Sequence, residues 1–197
     1  MKFTSNYLKH TSKNPLQRYL IDCFYDVLIE LALKTSPLSI LDTGCGEGFT
    51  LERLRKECVG RRLIGIDNSK LALKLGRKLH PKLDLIQGDL YKLPYKRNTY
   101  NLVICSQVLE HLTKPQDALA EAVRVSKGHL IITVPNEPFF MLANFLRGKN
   151  ISRFGNHIEH VQHWTYTGFK KFLEKQNLKI LFITSSFPWT LVLVEKR

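Results

Sequence analysis

A chain of 197 residues, 44% hydrophobic and 24% charged, has the size and composition of one globular domain, which excludes a disordered or fibrous polymer. The longest apolar region, Leu130 to Leu146, is interrupted by Pro135, Asn136, Glu137 and Pro138, so no membrane span is expected. Thirty Lys and Arg against 17 Asp and Glu leave a formal charge of +13, which suits either a polyanionic partner or a solvated outer helix face, since many of the cations between Arg53 and Lys82 interleave with leucines. Met1 to Leu20 lacks the continuous apolar stretch of a secretion signal. Cys23, Cys45, Cys58 and Cys105 form no Cys-x-x-Cys pair, which argues against a zinc ribbon or disulfide framework and for a reducing cytoplasm.

In chain order, the first 14 residues read as a loose arm or lid, and apolar residues from Leu16 to Leu31 hold the three-and-four spacing of a helix over Pro15 to Leu33. Leu38 to Asp42 reads as a short buried strand, followed by the loop Gly44-Cys-Gly-Glu-Gly48 and a helix from Phe49 to Cys58. The alternation repeats with strand Leu63 to Ile66 and helix Ser69 to Leu79, then strand Leu83 to Gln87 and a loop containing Pro94. Strand Leu102 to Cys105 and helix Pro115 to Val125 precede a fifth strand, Leu130 to Val134. Right-handed crossovers between such strands give an α/β, doubly wound, mainly parallel sheet. After a helix from Thr165 to Gln176, the runs Lys179 to Ser185 and Thr190 to Glu195 are joined only by Ser186 to Trp189, too short a link to cross a sheet. They are expected as a C-terminal antiparallel hairpin on its edge, making seven strands. The whole of 1–197 reads as a single domain with an N-terminal helical arm over 1–35 and a lid-like insertion over 136–164.

Ligands of open parallel sheets lie outside the carboxyl ends of the strands, where this chain collects Asp42, Asp67, Asp89, Ser106 and Gln107. The loop is Gly-x-Gly-x-Gly: it lacks the Gly-Lys-Ser/Thr of a phosphate loop, and Phe49 stands where the dinucleotide pattern requires its third glycine. Asp67 is placed to accept from both ribose hydroxyls and Asp89 from an adenine amino group, so the expected ligand is an adenosine without a pyrophosphate. The alternatives are that Asp67 caps the following helix and that Asp89 caps a turn.

These residues resemble the class I S-adenosylmethionine-dependent methyltransferases of the broad small-molecule type, with a Rossmann-like sheet. Leu41-Asp-Thr-Gly-Cys-Gly-Glu-Gly48 is similar to that family's cofactor loop, Gly65-Ile-Asp67-Asn-Ser to its ribose acid, Gly88-Asp-Leu90 to its adenine motif, and Asn101 to Leu112 to its fourth-strand motif. The resemblance implies S-adenosyl-L-methionine as cofactor. It places Asp42, Gly44, Cys45 and Gly46 by the methionine part, Asp67 by the ribose, Asn68, Gly88, Asp89 and Leu90 by the adenine, and Ser106 and Gln107 by the sulfonium.

Methyl transfer is an in-line displacement that needs alignment of an acceptor lone pair and, where required, removal of its proton. No Asp/Asn-Pro-Pro-aromatic run follows strand four, which argues against amine methylation of nucleic-acid bases, and Cys105 lies on an apolar strand rather than in a nucleophile's setting. The acceptor is expected to be a small molecule, with RNA ribose hydroxyls as an alternative favoured by the charge, and a noncatalytic cofactor-binding protein as another. Residues 136–164 are expected to shape the acceptor pocket: Phe139, Phe140, Met141, Leu142, Phe145 and Leu146 suggest an apolar lid, or core packing. His157, Glu159, His160, His163 and Trp164 follow. His111 and His160 are the candidate catalytic residues. With Glu110 they partly resemble metal-dependent methyltransferases of small-RNA ends, but Gln107 replaces the first carboxylate of that pattern, so no metal is expected. If the insertion does not shape the pocket, the N-terminal arm around Tyr7 and Tyr19 is the alternative.

Overall fold

A computed structural model of the chain describes residues 3–146 and 160–197. Helix α1 (Ser5–His10) starts where the Thr4 hydroxyl accepts from the Tyr7 amide, and α2 (Pro15–Leu33) starts at Asn14, whose side chain accepts from Gln17 N at 3.0 Å, with Pro15 in the first helical position. The arm is therefore more ordered than the loose segment expected, because each of its helices is capped by its own sequence. The remaining elements in chain order are β1 (Ser39–Thr43), α3 (Phe49–Lys56), β2 (Arg62–Asp67), α4 (Lys70–Leu79), β3 (Asp84–Gln87) and β4 (Tyr100–Ser106). They continue with α5 (Pro115–Val125), β5 (Ser126–Pro135), α6 (Phe139–Leu146), α7 (Tyr166–Lys175), β6 (Leu178–Ser186) and β7 (Trp189–Lys196).

The strands form one sheet in the order β3-β2-β1-β4-β5-β7-β6, the first five parallel and β7 antiparallel to both neighbours. The C-terminal hairpin lies at the edge of the sheet as expected, with β7 beside β5 and β6 outermost. Buried side chains separate onto two faces. Leu28, Leu51, Leu54 and Leu73 of α2, α3 and α4 pack with Ile40, Ile104 and Leu191 on one face, while Leu119 of α5 and Phe169 and Leu173 of α7 pack with Leu41, Val103 and Ile132 on the other. Each fully buried Leu or Ile stabilises the fold by about 1.5 to 3 kcal/mol relative to exposure, and helices on both faces leave the strand ends free for a site. Strand β5 starts four residues earlier than the sequence suggests, since Ser126 Oγ donates to His129 O and accepts from Gly128 N and carries the chain straight from α5 into the sheet. Among the described residues, no helix is long and apolar enough to cross a membrane.

Candidate active site

Strand order reverses on either side of β1, whose neighbours are β2 and β4, and the carboxyl ends of these three strands open onto a cavity of ≈ 640 Å³. The chain leaves β1 in a loop tied back to β2: Gly44 N and Cys45 N both donate to Ile66 O, at 2.7 and 3.1 Å. Gly44 has φ +78°, and a Cβ there would lie 2.4 Å from Cγ2 of Val108, so both the turn and the close approach of the loop to the end of β4 require glycine. Gly46 N donates to Asp67 Oδ2 at 2.8 Å, and Asp67 Oδ1 accepts from Ser69 N at 2.8 Å. Asp67 thus braces the glycine loop and the entrance to α4, while Ser69 supplies the helix cap, accepting from Ala72 N.

Of the residues expected at the cofactor, Asp42, Gly44, Cys45, Gly46, Asp67, Ser106 and Gln107 line this cavity together. Asn68, Gly88, Asp89 and Leu90 stand outside its wall, beyond the ends of β2 and β3; Asp89 Oδ1 accepts from Tyr91 N at 2.9 Å, closing a turn. Asp42 is buried, and desolvation, with the charge of Asp67 second, pushes its carboxyl up to about 8. Gln107 lies at φ +58°, a left-handed conformation costly for a residue with a Cβ. Its amide donates to Thr133 O at 3.0 Å, while Ser106 Oγ stands 3.0 Å from Thr133 Oγ1. The strained turn swings the chain from β4 into the short 3-10 turn Leu109–His111 and delivers Glu110 and His111 to the cavity.

Val161 N and Gln162 N both donate to Glu110 O, at 2.8 and 3.0 Å, and bring His160 against His111 with ring centroids 5.0 Å apart. Phe140 of α6 stacks on His160 at 5.3 Å. Glu110, His111 and His160 each offer one ligand atom within 4.8 Å of the others, a set that could hold a divalent ion. His163 instead faces Glu137, with Nδ1 3.9 Å from Oε1, and the other carboxylate oxygen of Glu137 accepts from Met141 N at the start of α6. Trp164 packs on Phe169 and Phe172, both at 5.4 Å, and is not part of the cavity wall. His157 and Glu159 lie outside the described residues.

The arm forms the remaining wall, through residues the sequence reading passed over. The Thr4 hydroxyl and Asn6 Nδ2 both donate to the fully buried carboxylate of Glu47 in the glycine loop, and His10 stacks on Phe49 at 4.3 Å. Burial, with the charge of Lys9 second, holds the His10 imidazole well below the usual histidine range. Lys9 reaches the cavity with its ammonium 4.9 Å above the Trp189 ring. Tyr7 stacks on Phe3 and Tyr19 is exposed, so the arm contributes to the pocket through other side chains. The pattern of capping residues before short helices was the available signal that the arm is built rather than loose.

A glycine loop, acidic ends on β1 and β2, and a parallel sheet ending in a reversed hairpin agree with the class I methyltransferases that the sequence resembles. Residues 41–132 match the family described as a methyltransferase domain. The chain is 30% identical over 112 residues to a probable S-adenosylmethionine-dependent methyltransferase of Mycobacterium tuberculosis (strain CDC 1551 / Oshkosh), covering 56% of this chain and 40% of that protein. It is 33% identical over 103 residues to a demethylmenaquinone methyltransferase of Renibacterium salmoninarum, covering 51% and 43%. The match thus spans less than half the length of either relative. The fold is similar to magnesium protoporphyrin IX methyltransferase from Synechocystis PCC 6803, a structure with bound SAH, with a TM-score of 0.72 at 16% identity over 98% of this chain and 92% of that one. These likenesses support a class I S-adenosylmethionine-dependent methyltransferase, with S-adenosylmethionine as its cofactor. The residues present fit that group: Asp42 and Asp67 line the cavity beside the glycine loop, and the cradle at Gly44 has no room for a Cβ.

Proposed function

We propose that the chain catalyses methyl transfer from S-adenosylmethionine to a small-molecule acceptor, with 1–197 acting as a single domain whose arm (1–35) and insertion (136–164) serve the site through described residues such as Lys9, Phe140 and His160. The observation that carries this reading is the continuity of one ≈ 640 Å³ cavity, from the acids and glycines at the ends of β1 and β2 to an apolar chamber walled by Phe24, Phe140 and Trp189. That volume suits small ligands rather than a polymer, and the demethylmenaquinone methyltransferase among the relatives supports a small-molecule acceptor.

Asp42 and the backbone of Gly44, Cys45 and Gly46 hold the amino-acid part of the cofactor, Asp67 the ribose, Asn68, Gly88, Asp89 and Leu90 the adenine, and Ser106 and Gln107 border the sulfur. When bound, the cofactor supplies an electrophilic methyl on a cationic sulfur. His111 and His160 are the catalytic pair: they orient the acceptor and relay its proton, Phe140 fixes the His160 ring by stacking, and the arm excludes water. Gln107 brings no charge to a metal, so transfer through Glu110, His111 and His160 is read as metal-independent. The free thiols of all four cysteines suit a cytoplasmic protein.

The test is incubation with methyl-labelled cofactor and fractionated extract. Label is expected in the small-molecule fraction, unchanged by a chelator. Label in RNA with a steep salt dependence supports the ribose alternative. Tight cofactor binding with no transfer to any fraction supports the noncatalytic one, and a chelator-sensitive loss restored by a divalent ion overturns the metal-independent reading.

A further inference from the structure

The acceptor half of the cavity contains two groups of opposite charge that the cofactor assignment leaves unused. Glu110 is 1% exposed, lines the cavity, and neither of its carboxylate oxygens has a hydrogen-bond partner. A buried carboxylate left in that state costs several kcal/mol unless a ligand completes it. Lys9 lines the same cavity from the arm, over Trp189, and its charge and that of Glu110 act on one another without forming an ion pair. Both line the one cavity, whose wall also carries the rings of Phe24, Trp189 and Phe140.

We propose that Lys9 and Glu110 form an acceptor subsite that takes a hydroxyl or carboxylic oxygen carried on a small, flat, apolar body, and so directs methylation to oxygen. The argument is one of lone pairs and protons. An ammonium only donates, and a Glu110 carboxylate kept ionised by a donating ligand only accepts, so a group that bridges the two accepts from Lys9 and donates to Glu110. A neutral amine can do both, but its single lone pair is then committed to Lys9 and cannot attack. A hydroxyl keeps a second pair: that pair forms the new oxygen–carbon bond, the electrons of the broken methyl–sulfur bond stay on sulfur, and the hydroxyl proton passes to Glu110, beside His111 and His160. The aromatic walls select the body that carries the oxygen.

The inference rests on the methyltransferase reading, and the test separates the two. Binding of phenol, anisole and aniline to the protein loaded with S-adenosylhomocysteine is measured by ligand-observed NMR for the parent, Lys9→Met and Glu110→Ala, with S-adenosylhomocysteine affinity measured beside it by calorimetry. The parent is expected to prefer phenol over anisole by tenfold or more. Lys9→Met and Glu110→Ala should each reduce that preference below threefold while S-adenosylhomocysteine affinity stays within threefold. Should Glu110→Ala fail to fold, Lys9→Met decides alone, since Lys9 lies on the partly exposed arm. Equal binding of phenol and anisole to a parent that binds S-adenosylhomocysteine overturns this inference alone, as does a preference that survives Lys9→Met, or one that requires added Mn²⁺ or Zn²⁺. Failure of the parent to bind S-adenosylhomocysteine overturns both readings.

Discussion

Asp67→Ala separates two roles that the geometry superimposes on one carboxylate. The side chain accepts from Gly46 N and Ser69 N, both at 2.8 Å, so its removal loosens the glycine loop and the entrance to α4 before any ligand is considered. Two charge-assisted bonds at about 1.5 kcal/mol each, reduced because water reaches this half-exposed position, give a destabilisation of about 2 kcal/mol. In a domain of this length that lowers the melting temperature by about 4 to 8 °C. If the same carboxylate also holds two ribose hydroxyls, a further loss of about 3 kcal/mol falls on cofactor affinity alone, which is roughly a hundredfold. Asp67→Asn keeps one acceptor oxygen and removes the charge, so it should fall between Ala and the parent in both measurements. Thermal melts without ligand and calorimetry with S-adenosylhomocysteine read the two effects independently. A lowered melting temperature with affinity within about threefold of the parent would falsify the ribose assignment and leave Asp67 as a brace of the loop.

Gly44→Ala should abolish cofactor binding, because its Cβ would stand 2.4 Å from Cγ2 of Val108; adding Val108→Ala relieves the clash but not the strain of φ +78°, so calorimetry on the double variant should show partial recovery and no more. Trp164→Ala should lower the melting temperature by about 6 to 12 °C, from about 3 kcal/mol of packing against Phe169 and Phe172, and leave transfer at permissive temperature near that of the parent. Phe140→Ala and His160→Ala should do the reverse, cutting label transfer by roughly a hundredfold through misplacement of the acceptor; transfer lost with Trp164→Ala below its melting range would refute this division. Asp42, raised in the folded state to about 8 by burial and then by Asp67, contributes stability that is present below its unfolded value and is lost as the pH rises toward and through about 8. The melting temperature of the ligand-free protein should therefore decline across that window, and less steeply in Asp42→Asn; parallel curves for the two proteins would remove Asp42 as the cause.

The parts of this site that can be read from the sequence are those fixed by backbone conformation within a few residues. A left-handed Gly44 and an acid closing β2 have local signatures, and with the rule that ligands lie at the carboxyl ends of parallel strands they place Asp42, Asp67, Ser106 and Gln107 around one cavity. Lys9 has no such signature. It reaches the cavity because Thr4 and Asn6 grip Glu47 across more than 40 residues, and a polar pair at that separation leaves no periodicity in the chain. Two other features left readable traces. Trp189 to Val194 is an unbroken buried run, the pattern of a strand covered on both faces, whereas β6 is interrupted by the exposed Lys179 and Phe182; this contrast places β7 inside the hairpin and β6 at the edge. Trp164 precedes the capping Thr165 and meets Phe169 four residues beyond the cap, the arrangement of a hydrophobic staple. An aromatic in that position is already accounted for by helix initiation. His160, which has no such local duty, is held at the cavity by the two hydrogen bonds that Glu110 O accepts from Val161 and Gln162, and so the residue that carries the proposed proton acceptor also fixes the histidine beside it.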